Sequence, residues 1–403
     1  MVNAWIYANT SLKRVGKLDA RYIGKLERGD VRWPGQYYRD GLRAVLRVNA
    51  DADLGFRPPD RSSPRGELVL PAGLPHGAGV VPFGGRSASS YLAQVAPTEV
   101  PSVIGPEDIA GVRTAADLFR NWDAEYGGNF ARVSVVAQLQ YAAQLHDVKC
   151  PPNLKRALYS AVGRLGQAAA FMAFDAQAND DALRMFCFAL AQAEEGADWH
   201  LRANILSSMA RQSFWMNDPD RGLTYIELAM VRSDRLSHTE RAMLAAVRAR
   251  ALAQLGRVEE AVAAVGQADE EFSLSNPADS MYAAYYDAAE HAGETGHALS
   301  DLALRGKFIS AATDRLRFAI ESHGDEYARA RAFCQIRLAS QLMVTGDPRE
   351  AAALGGSATS AAAKIRSNRV IKNLRELQQF AAGHHAIPEA AELHRKIGAV
   401  VST

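Results

Sequence analysis

The chain has 403 residues, of which 48% are apolar and 23% are charged, and its formal net charge at pH 7 is +1. This composition excludes an intrinsically disordered chain, and the length exceeds what one hydrophobic core usually organises, so at least two structural units are expected. No segment approaches twenty consecutive apolar residues and the first residues lack the apolar run of a secretion signal, so we expect neither a membrane span nor export.

The three cysteines indicate the compartment. Cys150, Cys187 and Cys334 are odd in number, lie far apart in the sequence and form no Cys-x-x-Cys pair. This arrangement is typical of reduced thiols rather than of a disulfide framework or a zinc site. The sequence therefore predicts a cytoplasmic protein.

The first 48 residues predict a small basic head made of three short helices, over 2–8, 19–28 and 34–48. This segment holds ten Lys or Arg residues against four acidic residues, so its net charge is +6 and the rest of the chain sums to about −5. In the third helix, Pro34 occupies the first turn. One stripe of that helix is formed by Tyr38, Leu42, Val45 and Leu46. A basic head on a mildly acidic body indicates a nucleic-acid contact confined to one end.

The helix predicted over 19–28 has a cap at each end and a cationic outer face. Asp19 can accept hydrogen bonds from the first turn, and Gly29 can adopt the left-handed conformation that ends the last one. Ile23 and Leu26 are three residues apart and would bury one stripe. The residues that would then point outward are Arg21, Tyr22, Lys25 and Arg28. The alternative to a DNA-contacting helix is an ordinary basic surface helix.

The chemistry of these outward residues suggests how they would divide a DNA contact. Arg21, Tyr22 and Lys25 are placed to meet base edges or the wall of the major groove, where arginine can bond guanine bidentately. Arg28 and Arg32 are better suited to phosphates, which fix the register without reading the sequence.

Residues 56–106 read as a flexible linker. They contain nine of the 16 prolines and seven glycines, with little periodicity. The glycine pairs at 77–79 and 84–85 are not followed by Gly-Lys-Ser/Thr, so a nucleotide site is not expected. The sequence thus divides into residues 1–55, 56–106 and 107–403.

Residues 107–403 have helical periodicity with recurrent breaks. Turn signals occur at 179–180, 217–219, 255–257, 295–297 and 345–348. Between Asp180, Asp218, Gly256, Gly296 and Gly346 the spacings are 38, 38, 40 and 50 residues. Near-equal spacings of this size predict repeated helical hairpins, with one lengthened step.

The hairpins resemble the tetratricopeptide repeat. In that repeat the turn glycine is followed five residues later by alanine, as Gly256 is by Ala261 and Gly346 by Ala351. The resemblance implies an all-α protein with a right-handed α-solenoid after the head. Such a solenoid offers a concave groove to a partner.

The head also resembles a known family. The matching segments are Tyr22-Ile-Gly-Lys-Leu-Glu-Arg-Gly29, Arg32-Trp-Pro34, Tyr38-Arg-Asp-Gly-Leu-Arg-Ala-Val-Leu46 and Asp53-Leu-Gly-Phe56. Together with the repeats they are similar to the Cro/repressor-type helix-turn-helix regulators of actinobacteria that carry a C-terminal tetratricopeptide domain. The resemblance implies that 19–28 is the recognition helix of a transcriptional regulator. It also implies that the repeats sense a small molecule or peptide, or mediate dimerisation.

One departure from this family lies at the start of the chain. The family has two helices before its recognition helix, whereas only 18 residues precede Asp19 here. These residues have room for one helix, over 2–8, so we expect the first helix of the head to be missing.

Aligning the repeats by their turns places several residues on the groove. These residues are Asn204, Ser207, Arg211, Trp215, Arg250, Tyr286, Glu290 and Phe333. Arg211, Arg250 and Glu290 fall at equivalent positions, and two stacked arginines beside aromatic rings can hold a carboxylate or phosphate on an apolar ligand or peptide. The alternative is structural, with Arg250 and Glu290 paired between neighbouring repeats and Arg211 in solvent.

No catalytic or metal-binding pattern is present in the sequence. The histidines lack the i, i+4 partner of a helical metal site, and no Gly-x-Ser-x-Gly motif occurs. We therefore predict no enzyme activity, metal or cofactor. The prediction is a DNA-binding regulator with an effector-binding repeat domain, dimeric through a terminal helix such as 368–382. The alternative is an interaction scaffold with a vestigial head that does not bind DNA.

Overall fold

The chain divides into two units, residues 1–94 and 95–403. The computed structural model describes residues 22, 23, 26, 34–46, 48, 50–54, 56, 98–276, 282–365 and 367–401. Four predictions fall wholly or mostly outside these residues: the helix over 2–8, most of the helix over 19–28, most of the linker over 56–106, and the predicted DNA contacts Arg21, Lys25, Arg28 and Arg32.

The first unit contains one described helix, α1 (Gln36–Leu46), followed by a 3-10 turn at Asp51–Leu54. The helix lies within the predicted range 34–48 but begins at Gln36, so Pro34 precedes it and does not occupy its first turn. Leu46, predicted on the apolar stripe, is 56% exposed. Arg39 connects this helix to the segments before and after it. Its Nη1 donates to the Pro34 carbonyl at 2.6 Å, and its Nε donates to Asp51 at 3.0 Å. Arg43 reaches the same carboxylate at 3.3 Å.

The predicted inner stripe of the helix over 19–28 is wrong at Ile23. Tyr22, Ile23 and Leu26 are helical, but Ile23 is 39% exposed. Tyr22 is half-buried instead, and its ring lies 5.4 Å from the ring of Tyr38 on α1. An aromatic contact between the two helices therefore turns Tyr22 inward.

The second unit is all-α. Its helices are α2 (Pro106–Tyr126), α3 (Arg132–Gln144), α4 (Pro152–Asp175), α5 (Asn179–Glu195), α6 (Trp199–Trp215), α7 (Pro219–Met230), α8 (His238–Gln254), α9 (Val258–Ser273), α10 (Ala288–Ala303), α11 (Ile309–Ser322), α12 (Ala328–Thr345), α13 (Pro348–Ala362), α14 (Asn368–Ala382) and α15 (Pro388–Val401). Apart from an isolated bridge between Val103 and Lys149, the described residues form no strand. None of the helices described is long and apolar enough to cross a membrane.

From α4 onward the helices pair into antiparallel hairpins. Three-residue connections join α4 to α5, α6 to α7, and α8 to α9, and the middle residue of each has positive φ: Gln177, Asn217 and Gly256. Helix α7 then begins with both a cap and a proline: Asp218 accepts from the Arg221 amide at 3.1 Å, and Pro219 is in the first turn. The turns at Asn217 and Gly256 and the one between α12 and α13 agree with the predicted breaks. The turn at Gln177 precedes the break predicted at 179–180, whose two residues begin α5.

The predicted turn at 295–297 is wrong. Gly296 lies in the middle of α10, and the turn comes ten residues later, where Gly306 has φ of 81°. A Cβ at Gly296 would come within 3.0 Å of the Leu316 side chain, so this glycine allows α11 to approach closely. The lengthened step accordingly lies between Gly256 and Gly306, where the segment between α9 and α10 is long.

The first helices of successive hairpins, α4, α6, α8, α10, α12 and α14, pack side by side as an inner layer. The outer helices cover them, and small residues, mainly alanine, fill most of the core between the layers. The concave side of this inner layer therefore faces inward on a common space.

The two ends of the row meet across this space. Ser367, just before α14, donates to Asp175 at the end of α4 at 2.8 Å, and Arg369 donates to the same carboxylate at 2.9 Å. Nearby, Arg329 on α12 donates to Asp123 on α2 at 2.6 Å. The hairpins thus close into a ring, not the open groove that a solenoid implies.

Helix α14 was the predicted dimer contact, and its bounds agree with the sequence. Its apolar face, however, is buried inside the unit: Val370, Leu374 and Leu377 are fully covered. A dimer would therefore have to use other residues.

Gly128 permits the close approach of the α2–α3 connection to α4. A Cβ there would lie 2.3 Å from the Met172 carbonyl oxygen, and backbone cannot move aside as a side chain can. We expect Gly128→Ala to destabilise the fold by about 1–3 kcal/mol in urea unfolding. Gly111→Ala is the control: nothing lies within 4 Å of that Cβ on α2, so alanine should stabilise the helix by about 0.5–1 kcal/mol. Equal effects of the two substitutions would contradict the contact.

Candidate functional site

The ring encloses a central cavity of about 290 Å³, a size at the lower end of small-molecule sites. The helices α2, α4, α6, α8, α10, α12 and α14 all contribute to its wall. Each inner helix contributes at least one polar residue to the wall. The wall therefore contains arginines and acids, and aromatic rings lie among them.

Six of the eight residues that the repeat alignment places on the groove line this cavity: Asn204, Arg211, Trp215, Arg250, Glu290 and Phe333. Ser207 is fully buried instead, and its hydroxyl donates to the Asn204 carbonyl at 3.1 Å. Tyr286 does not line the cavity either: it is only 3% exposed, its hydroxyl lies 3.1 Å from Nδ1 of His291, and its ring packs near Phe272. Its neighbour Tyr285 lines the cavity instead, because Tyr286 turns into the core.

The structural alternative considered from the sequence is also wrong in its details. Arg250 does not pair with Glu290; its nearest carboxylate is Asp301, at 3.8 Å. Arg211 is not in solvent but donates to Glu294 at 3.2 Å and to Ser207 at 2.8 Å. Arg250 thus pairs with the neighbouring inner helix, α10, but at Asp301 instead of Glu290, whereas Arg211 on α6 pairs with α10, two inner helices away.

Arg211 and Glu294 form a buried pair that is incompletely satisfied. Both side chains are 11% exposed. Burial is the largest single effect and lowers the pKa of Arg211, but Glu294, Tyr285 and Glu290 together outweigh it and raise that pKa. Nonetheless, Nη2 of Arg211 and Oε2 of Glu294 have no hydrogen-bond partner. One donor and one acceptor therefore remain for a ligand or ordered water.

Arg250 is only weakly compensated by its nearest acid, Asp301. Asp301 accepts from Arg337 at 3.0 Å and from Gln254 at 3.2 Å, so both its oxygens are engaged. Nε of Arg250 is left without a hydrogen bond. Burial and the neighbouring Arg337 lower the pKa of Arg250, which stays charged at neutral pH because the arginine reference is so high. An anion at this point would relieve an uncompensated buried charge.

Glu290 and the histidines add little charge at neutral pH. Burial, together with Glu294, raises the pKa of Glu290 to about 8. Burial, with Arg250 and Arg337, holds the pKa of His297 well below its ordinary value, and burial lowers that of His323. The cavity wall is therefore cationic on balance.

Four aromatic rings surround the Arg369 guanidinium. Its carbon lies 4.3 Å from the ring centre of Phe174 and between 5.1 and 5.7 Å from those of Phe171, Trp215 and Phe333. Burial lowers the pKa of Arg369, and the ion pair with Asp175 opposes this. Stacking and pairing together hold α14 against α4 and fix one aromatic wall of the cavity.

Several wall residues were not predicted. Arg120, Arg329, Arg337 and Arg369 line the cavity on helices α2, α12 and α14. Repeat alignment could have suggested Arg337, which lies on α12, the inner helix that follows the helix of Glu290. Arg120 and Arg369 lie at the two ends of the row, and only ring closure brings them to the cavity.

Comparison with known proteins assigns no family. No protein-family model matches the chain, and no curated protein matches it. Among the described residues, no group of three or more His, Cys, Asp or Glu side chains is placed to hold a metal ion.

Proposed function

We propose that this chain is a transcriptional regulator that binds DNA through residues 1–55 and an effector in the central cavity of its helical unit. The central cavity is the observation that supports effector binding. Arg211 and Arg250 line it, each with one buried nitrogen that lacks a hydrogen-bond partner, beside the aromatic wall that includes Trp215 and Phe333.

The DNA-binding half of the proposal rests on the sequence. The +6 charge of residues 1–48, the capped cationic segment 19–28 and the resemblance to Cro/repressor-type regulators with tetratricopeptide repeats support it. A homodimer belongs to this proposal, since helix-turn-helix proteins commonly read paired half-sites.

The proposed coupling between effector binding and DNA binding is a shift in population between a closed and a looser form of the ring. The contacts that close it, Arg369 to Asp175 and Arg329 to Asp123, lie on the cavity wall or directly behind it. A ligand that binds the closed ring better than a looser one would stabilise closure by its difference in affinity. The separation of two heads in a dimer would change with it.

A salt series of DNA binding tests the proposal. DNA from upstream of the gene is titrated with the full chain at several salt concentrations. We expect the logarithm of the binding constant to fall linearly with the logarithm of salt, and Arg28→Ala to reduce the slope by about one. The control is Arg184→Ala, an arginine whose side chain is 72% exposed on α5, which should leave the slope unchanged. Absence of salt-dependent binding would favour the scaffold function.

A further inference from the structure

A second cavity adjoins the central one. It has a volume of about 340 Å³, and four residues line both cavities: Trp215, Arg250, Arg337 and Asn373. Arg250, the buried arginine with an unbonded Nε, therefore lies at the junction between them.

The second cavity is also lined by more cations than acids. Besides Arg250 and Arg337, its wall includes Arg305 and Lys372. Lys372 donates to the Trp215 carbonyl at 3.0 Å, and Arg305 to the Gln254 carbonyl at 3.2 Å. Within the described residues, neither cation pairs with a carboxylate.

The acids of this cavity do not balance these cations. Asp301 is already bonded to Arg337 and Gln254, while Glu376 is exposed. The carbonyls at the ends of α6 and α8 supply only partial negative charge. The cavity therefore favours an anionic group beside Arg250.

The central cavity offers the complementary surface. Phe171, Trp215 and Phe333 form one wall of it, and Trp215 continues into the second cavity. Aromatic surface of this kind favours an apolar group.

We propose that the effector is an amphipathic anion that spans both cavities. Its acid group lies beside Arg250, Arg305 and Lys372, and its apolar body lies against Trp215 and Phe333. This inference rests on the proposed effector site, and it adds the chemical class and the orientation of the ligand. Carboxylates and phosphate monoesters share this chemistry.

The probe for a test is 8-anilinonaphthalene-1-sulfonate, whose fluorescence rises in apolar sites. It is bound to the full chain and displaced by decanoate, decyl phosphate and decanol, which have the same alkyl chain and differ in the head group. We expect both anions to displace the probe at concentrations about tenfold lower than decanol. The better of the two anions identifies the head group.

Two variants locate the charge. Arg250→Gln should remove the preference for the anions, because Asp301 keeps its bonds to Arg337 and Gln254 and the fold has no new unpaired acid. The control is Arg248→Gln, two residues away on α8 and outside both cavities, which should keep the preference. Lys372→Gln, on α14, should weaken binding of both anions but not of decanol, so the test does not depend on the stability of one variant.

The outcomes separate the inference from the proposed function. Equal displacement by decanol and the anions, or an unchanged preference in Arg250→Gln and Lys372→Gln, would overturn the anionic class while leaving the cavity as the effector site. Probe binding that is absent, or unaffected by Trp215→Leu, would overturn both. A clear preference in a chain that does not bind DNA would support the ligand class and contradict the regulator.

Discussion

Asp175→Asn is expected to destabilise the helical unit by about 3–5 kcal/mol. The Asp175 carboxylate is fully buried and accepts hydrogen bonds from the Gly128 amide, the Ser367 hydroxyl and the Arg369 guanidinium, all between 2.8 and 2.9 Å. Asparagine keeps the shape but removes the charge that compensates Arg369 and, at 3.6 Å, Arg329. Two buried guanidiniums would then share too little negative charge.

Urea unfolding followed by circular dichroism measures this change. The control is Asp325→Asn, which removes an aspartate–arginine pair whose carboxylate side chain is 98% exposed, and we expect no measurable effect. A loss for Asp175→Asn no larger than that for Asp325→Asn would show that the ring does not depend on this junction. We also expect Asp175→Asn to lower ligand affinity, because the aromatic wall moves with α14.

Glu290→Gln is expected to stabilise the unit above pH 7. In the folded chain the pKa of Glu290 is raised from 4.5 to about 8, first by burial and then by Glu294 one turn later. The folded state therefore holds a proton that the unfolded state has lost, and stability falls as the pH rises from about 4.5 to 8. Glutamine removes this loss. The full shift corresponds to about 5 kcal/mol, and water in the cavity reduces it, so we expect a gain of about 2 kcal/mol at pH 8.

Unfolding free energies at pH 5, 6.5 and 8 test this. The difference between Glu290→Gln and the parent should grow with pH and reach its full size near pH 8. Glu321→Gln, on the exposed side of α11, is the control and should give no measurable difference at any of the three pH values. A gain that is the same at pH 5 and pH 8 would mean that Glu290 is already ionised in the folded chain.

The helical hairpins of the second unit could be predicted because their signals are local. Turn residues such as Asn217 and Gly256 adopt positive φ whatever lies elsewhere in the chain, and α12 begins a hairpin whose turn includes Asp347 and Pro348. The failure at 295–297 has an equally local cause. Thr-Gly-His resembles a turn in sequence, but there the glycine serves helix packing against Leu316.

The candidate site could be predicted only in part. Repeat alignment found Arg211, Arg250 and Phe333, because equivalent positions on stacked helices share a face. It failed to identify the partners of the arginines, since Glu294 and Asp301 are one turn or more away from the aligned position. It misplaced Tyr286 because an error of one residue is enough to confuse two neighbouring tyrosines. Tyr285 lines the cavity, whereas Tyr286 lies in the core.

The sequence by itself determined the helical content of this protein, most of its turns and the basic character of its first 48 residues, because these depend on neighbours within a few positions. Only the tertiary structure decided that the row of hairpins closes. Closure sums a small rotation at each of many helix contacts, and no local pattern fixes that sum. It joins Asp175 to Arg369 across 194 residues and so creates the cavity whose wall includes Arg250, with its Nε lacking a hydrogen bond.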